Sequence, residues 1–460
     1  MESTAKQDPT AFKRIEFLVV TKNAELLSVS KDLVEHYKFR AEYSDSVDTV
    51  DADTRLSSSP MMILISLEEI EGLQERMKNL QQLRAAFPRS HIVAMVAGDE
   101  STDDCEMLRG SGARYLVLLQ EIKNSSKLYY LAALLVQGTY IPVPVSDLFP
   151  STQVNFNAYH KLVLNQKFLP VIFSGFTFSD KKYRQLETAQ QVYVRREELG
   201  EYRKYIETYH DQVGAALKKR CRVMMMSLMA LYSEILLLLS LDCEAGKKDL
   251  VQSKVSEFVQ GSQDLGRYLK DCPDVWNVIA KALDFQFCRY ERGPYILAYA
   301  VYISLKADWG QMQDVVMTAL LADLGILDLT PESFKTLQKK NEKHLKPEEL
   351  ERYRHHPMNS LNRVMLRELE VSNETKSSIV CTHERNDLKG FPNQSPADKI
   401  PAEAQLIHFC ELLDRRVRAS LEDGILTHDF VRKQVWEEEK DSLKRFNAAF
   451  LDKIEKVLVA

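Results

Sequence analysis

Four short stretches in the last third of the chain carry side chains that could do chemistry: "LLADLG" (320–325), "RHHPMNS" (354–360), "CTHERNDLKGFP" (381–392) and "IPAEAQLIHFCELLDRR" (400–416). The first poses the sharpest question. At helical spacing Val316, Ala319, Leu320 and Asp323 share one face, so a carboxylate ends an apolar stripe. A buried, unpaired charge costs more than a helix can offset. Asp323 therefore needs a metal ion, a side-chain partner or a place at the edge of the core.

The elements that must position these residues belong to a chain of ordinary composition. It has 460 residues, 45% hydrophobic and 28% charged, enough for about three domains of ~100–200 residues each. A net charge of −5 gives no electrostatic footprint for a polyanion, so neither DNA nor RNA is expected as a partner. Seven cysteines without a CxxC pair point to reduced thiols and a cytoplasmic setting. "MESTAKQDPTAFKR" lacks the apolar core of a secretion signal. "VMMMSLMALYSEILLLLSL" (223–241) approaches the ~20 apolar residues of a membrane span. Glu234 near its middle would cost roughly 2.5–3.5 kcal/mol there. The expectation is a core or dimer helix and no membrane span.

The organisation is multidomain, α/β followed by all-α. Residues 1–14 read as a disordered tail. In 15–137, the apolar strands "EFLVV", "MMILIS", "HIVAMVA" and "YLVLL" alternate with helices, closed by "SKLYYLAALLV". That is the pattern of a doubly wound parallel sheet. Residues 138–206 read as a small α+β module, with prolines suited to an edge strand. Residues 207–285 form a helical coupling and dimerisation region, which favours a homodimer. Residues 286–460 are a helical bundle with a C-terminal helix. No Gly-rich phosphate loop, GxSxG elbow or HExxH motif is present.

The strand order of 15–137, with "GAR" before the last strand, resembles the receiver domain of two-component response regulators. A receiver carries acids after its first strand, a phospho-accepting Asp ending the third, a Ser/Thr ending the fourth and a Lys ending the fifth. The matching places here hold Thr21 and Lys22, Ser66 and Ala97, and the last strand offers no Lys. Without carboxylates there is no oxygen cage for Mg²⁺ and no nucleophile for phosphoryl transfer. The resemblance therefore implies a pseudo-receiver, unphosphorylated at Ser66, the phospho-acceptor position. The 138–206 module is similar to small β-rich modules that precede bacterial signalling output domains.

"HERNDLKGFP" resembles the HHExxDGxGYP signature of HD-GYP domains, the metal-dependent phosphodiesterase family acting on cyclic di-GMP. "HHP" and "IPAEAQLI" match that family's flanking elements in order. The family's centre uses several ligands so that two or three metals share a bridging oxygen and neutralise phosphoryl charge. Residue by residue, this chain departs from it. The early-helix acid and His positions fall at Cys288 and Arg292. The HD pair reads Ala322–Asp323, Ile326 replaces the following Lys, the HHE pair reads Thr382–His383, and the late Asp is Glu411. Asp323, His356, His383 and Glu411 remain as potential ligands. Two accounts stay open. Arg292 could pair with Asp323 and stand in for metal charge, with no cofactor. Alternatively, one iron or manganese ion is held by Asp323, His356 and His383 with Glu411 near by.

Around this centre, Arg385, Arg415 and Arg416 are the candidate nucleotide-binding cations. Gly390, expected at positive φ, with Phe391 and Pro392, forms a candidate partner-contact loop tip. His408 and His428 read as ordinary helix residues. The resemblance implies a cytoplasmic bacterial signalling protein, more a pseudoenzyme than an enzyme. It would bind signalling proteins, diguanylate cyclases among them, and cyclic di-GMP without hydrolysis. The alternatives are a weak metal-dependent phosphodiesterase and a nucleotide-independent scaffold.

Overall fold

A computed structural model describes residues 15–50, 60–162, 167–209, 215–241, 243, 247–280, 292–339, 342–422 and 428–459. The expected tail at 1–14, the boundary at 285–286 and Cys288 lie outside them. The chain falls into two compact units. One comprises residues 1–123, 135–139 and 159–171; the other comprises 124–134, 140–158 and 172–460.

The first unit holds five parallel strands, β1 (Phe17–Val20), β2 (Ala41–Ser44), β3 (Met62–Ser66), β4 (His91–Val96) and β5 (Tyr115–Leu118), in the order β2-β1-β3-β4-β5. Phe17 lies beside Ala41 and Met62, Met62 beside His91, and Val93 beside Tyr115. Every residue of β1, β3 and β4 is buried, as continuous apolar runs require in a doubly wound sheet. Helices α1 (Ala24–Tyr37), α2 (Leu73–Ala86) and α3 (Thr102–Gly110) alternate with the strands. The Asn23 side chain caps α1 by accepting from Glu25 and Leu26 N–H, and a Ser101/Asp104 capping box starts α3.

The ends of β1, β3 and β4 are closed by internal contacts. Glu69 accepts from Thr21 Oγ1 (3.2 Å) and Lys22 N (2.9 Å), while Glu100 accepts from Arg76 and Gly98 N, both at 2.9 Å. Ser66 is 3% exposed.

In the second unit, β6 (Tyr140–Pro144) pairs antiparallel with β7 (Gln191–Arg195), Pro142 and Pro144 facing Tyr193 and Gln191. Asp147, just after β6, is fully buried. It accepts from Tyr202 Oη (2.5 Å) and pairs with Lys219 (3.5 Å) and Arg222, which fastens this module to the helices. Helix α4 (Lys127–Ala132), which the sequence places as the closing element of the sheet domain, packs with this unit instead.

Helices α5 (Ala215–Ser240) and α6 (Lys248–Lys270) pack lengthwise. Among the described residues, one helix is long and apolar enough to cross a membrane, Leu217–Ser240, and 83% of its apolar window is buried inside the protein. Glu234 within it pairs with Lys254 at 2.8 Å. Arg367 donates to the Leu239 and Leu241 carbonyls (3.1 and 2.6 Å), closing the helix end. Helix α7 (Gly293–Ala307) is buried along nearly its whole length and packs against α8 (Met312–Leu321), so the core of the unit sits here.

Candidate metal centre

Four elements converge on the residues singled out above. Helix α8 runs out at Ala322, and Asp323 opens a 3-10 turn, Leu324–Asp328. Helix α9 (Pro347–Leu366) begins with Pro at its first turn and Glu348 and Glu349 beside its N–H groups, favourable on both counts. It carries His356 next to an internal Pro357. Helix α10 (Asn373–Cys381) is capped by Ser372 and ends at Thr382, delivering His383. Helix α11 (Ala402–Glu422) carries Glu411.

The His-Pro dipeptide has a local consequence. Pro357 has no N–H, so the Tyr353 carbonyl four residues back loses its helical partner. His356 Nδ1 takes that carbonyl at 2.5 Å. With the proton on Nδ1, the lone pair is on Nε2, the tautomer a metal ligand needs. The Asp323 turn is locked to the same helix. Gly325 N donates to Ser360 Oγ (2.8 Å), whose hydroxyl donates to the Ala322 carbonyl (2.6 Å).

The result is a tight cluster in which ligand atoms of Asp323, His356 and His383 all lie within 4.8 Å of one another. His356 Nε2 is 3.6 Å from Asp323 Oδ1 and 3.1 Å from His383 Nε2; His383 Nδ1 is 3.7 Å from Glu411 Oε2. Two imidazole nitrogens that close either share one proton or converge on a cation. Burial, then the neighbouring His356, His408 and Arg415, push the His383 imidazole well below its usual range, so it is neutral. Burial, then the Asp323 charge, push the Glu411 carboxyl well up. A cation among these groups would favour the ligand form of each. The donor set of two imidazoles and a carboxylate fits a first-row transition metal.

The other sequence candidates fall as follows. Arg292 does not reach for Asp323. Its guanidinium forks onto Asp414, Nε at 2.9 Å from Oδ2 with Nη2 on Oδ1, and lies 3.6 Å from the Tyr295 ring centre. Asp323, with a quarter of its side chain exposed, has His356 as its partner instead. Ala322 and Thr382 are buried, and Thr382 Oγ1 is spent on the Ile379 carbonyl (3.0 Å). Arg385 forks onto Asp387 (2.9 and 2.6 Å), and Arg416 pairs with Glu438 (2.8 Å). Arg415 acts on His383, His408 and Glu411.

The 390–392 loop differs from expectation. Phe391 stacks on His383 (centroids 4.7 Å apart, 21° between planes) and meets His356 edge-on at 6.1 Å. It walls the centre, while Leu388 is the large apolar side chain that this loop exposes. Gly390 is buried, and the positive φ belongs to Leu388 (58°). A Cβ at Gly390 would sit 2.5 Å from Arg385 N and Glu384 Cα, so glycine serves close backbone approach. Buried Glu384 braces the loop by accepting from Asn393 N (2.6 Å) and Ser395 N (2.9 Å).

Sequence reasoning missed Asp414, Tyr353 and Ser360. The His-Pro dipeptide was the available signal for Tyr353.

His428 sits away from this cluster, at the start of helix α12 (His428–Ser442), 2% exposed between Tyr299 Oη (3.0 Å from Nε2) and the Trp276 ring. Burial, then Arg432, push its imidazole down to about 4. The unfolded chain protonates His428 below its ordinary value of 6.5 while the folded chain does not. Its contribution is therefore complete above that pH and is lost as pH falls toward 4. The unfolding free energy from urea titrations should fall more steeply for wild type than for His428→Gln over that window, by up to about 1.4 kcal/mol per pH unit. Parallel pH profiles would refute a buried neutral His428.

The family model described as HD domain matches residues 250–424. A solved structure, Bd1817, a HDG"Y"P protein from Bdellovibrio bacteriovorus, is similar at a TM-score of 0.46 and 16% identity over 70% of this chain and 100% of that one. No curated protein sequence matches. Asp323, His356, His383 and Glu411 all lie inside the segment that matches the HD-domain model.

Proposed function

We propose that the HD domain is a reduced HD-GYP-type centre that holds one iron or manganese ion. In this reading it serves cyclic di-GMP-related signalling by binding, not by multinuclear hydrolysis. The observation that carries this reading is the convergence of Asp323, His356 and His383 within 4.8 Å. A bound ion would supply Lewis-acid charge to a phosphate oxygen. Asp323, His356 and His383 would hold it, Phe391 would shield it, and Arg415 would add positive charge for an anionic ligand. Ala322 and Thr382, buried without a free donor, stand where the resemblance places histidines. That favours one ion over a bridged pair. The sheet unit acts in this proposal as a pseudo-receiver, a docking platform for signalling proteins such as diguanylate cyclases, in a homodimer.

Metal analysis of untagged protein should give about one iron or manganese per chain, and His383→Ala should lose most of it, since second-shell changes alone cost 10–100-fold in affinity. Calorimetry should then show cyclic di-GMP binding to the loaded chain, without turnover. Metal-free wild type would overturn the centre. Turnover that disappears in Asp323→Ala would favour the second reading, a weak phosphodiesterase, which the partial exposure of Asp323 supports.

A further inference from the structure

We infer that Ser126 and Lys127, at the start of α4, are positioning residues for the Asp323–His356–His383 centre, acting through the 3-10 turn that follows Asp323. This inference rests on the metal-centre reading above. Both residues lie upstream of the matched segment 250–424.

The turn Leu324–Asp328 is a short 3-10 element, joined to its flanks by Ile326 N to the Asp323 carbonyl (3.0 Å) and Leu329 N to the Ile326 carbonyl (3.1 Å). Two neighbours hold it further. On one side, α9 presses against it. A Cβ at Gly325 would lie 2.3 Å from the His356 carbonyl oxygen, and Arg363, two turns beyond His356, forks onto Asp328 (Nη2–Oδ1 2.9 Å, Nε–Oδ2 3.3 Å).

From α4, Ser126 N and Oγ each approach the Leu327 carbonyl at 3.2 Å. The Lys127 side chain, 2% exposed, brings Nζ to 3.7 Å from Asp328 Oδ1. A lysine that deep needs an acid beside it. Asp328 is thus bracketed by a cation from α4 and a cation from the helix that carries His356. Held at both ends, the turn fixes where Asp323 Oδ1 stands relative to His356 Nε2. Neither Ser126 nor Lys127 belongs to the ligand set; they act on it through five backbone residues.

The test is Mn²⁺ affinity of the full chain by calorimetry for wild type, Lys127→Met and Asp328→Asn, with the melting temperature of each metal-free protein measured alongside. Both variants should bind Mn²⁺ about tenfold more weakly or worse while remaining folded, the size of loss expected of groups that orient a ligand. Unchanged affinity in folded variants, with only the melting temperature lowered, would reduce the pair to a packing role and overturn the inference. Ser126→Ala removes one hydroxyl and is the milder substitution should either charge variant not fold. It should still weaken Mn²⁺ binding measurably, and equal affinity would likewise overturn the inference. A wild type that binds no Mn²⁺ at all overturns the centre itself, and the positioning role with it.

Discussion

Gly325→Ala should lower the melting temperature by roughly 5–10 °C and weaken metal binding at the same time. The added Cβ would lie 2.3 Å from the His356 carbonyl oxygen and 2.8 Å from both Asn359 Cβ and Ser360 N. Two of those three atoms are backbone of α9, so no flexible side chain can swing away. Overpacking of this kind costs about 1–3 kcal/mol or more, and each kcal/mol moves the melting temperature about 2–4 °C in a domain of this size. The displacement also breaks a functional geometry. Pushing the turn off α9 stretches Gly325 N from Ser360 Oγ and Asp323 from His356, now 2.8 and 3.6 Å apart. Gly261→Ala is the matched control. Its Cβ would meet Leu228 Cδ2 at 3.1 Å, a side-chain atom that can yield, and alanine favours the helix by about 1 kcal/mol. That variant should be near neutral. Equal melting and equal Mn²⁺ affinity for the two variants would show that the turn does not press on α9.

What the sequence made legible follows from what is local. The apolar runs of β1, β3, β4 and β5 announce a parallel sheet, because their burial demands unbroken hydrophobicity. The strand β2, "AEYS", gives no such signal, since it lies at the sheet edge with half-exposed side chains. Asp323, His356 and His383 were nameable because each sits in a motif, and the structure brings the three together. The partner of Arg292 was not nameable. Asp414 lies 122 residues away, and no periodicity tells whether a guanidinium chooses it or Asp323. Packing decides: α7 and α11 are in contact, and Asp414 lies one helical turn beyond Glu411. The 390–392 loop fails for a related reason. Glycine and an exposed-looking aromatic suggest a turn and a tip, whereas Gly390 admits a backbone and Phe391 lies on His383.

The Arg292–Asp414 pair carries the second large effect. Arg292→Met should destabilise the chain by about 3 kcal/mol, near the lower end of what breaking one side of a buried ion pair costs. Both side chains are 10% exposed or less. Burial works against the guanidinium charge, and Asp414 more than offsets it, leaving the arginine above its usual range. Removing Arg292 leaves the Asp414 carboxylate buried beside the more exposed Arg418, whose Nε is 3.3 Å away. Removing both charges, as in Arg292→Met with Asp414→Leu, should recover much of the loss, because neither partner is then left charged and alone. A urea-denaturation cycle over the four proteins reads this as a coupling energy of at least ~1 kcal/mol. The same variant separates the two fates that the sequence left open for Asp323. A guanidinium bound to Asp323 would compete with a metal, so Arg292→Met would tighten Mn²⁺ binding and show no coupling to Asp414. With Arg292 held by Asp414, the variant loses stability and binds Mn²⁺ as wild type does at a temperature where both are folded.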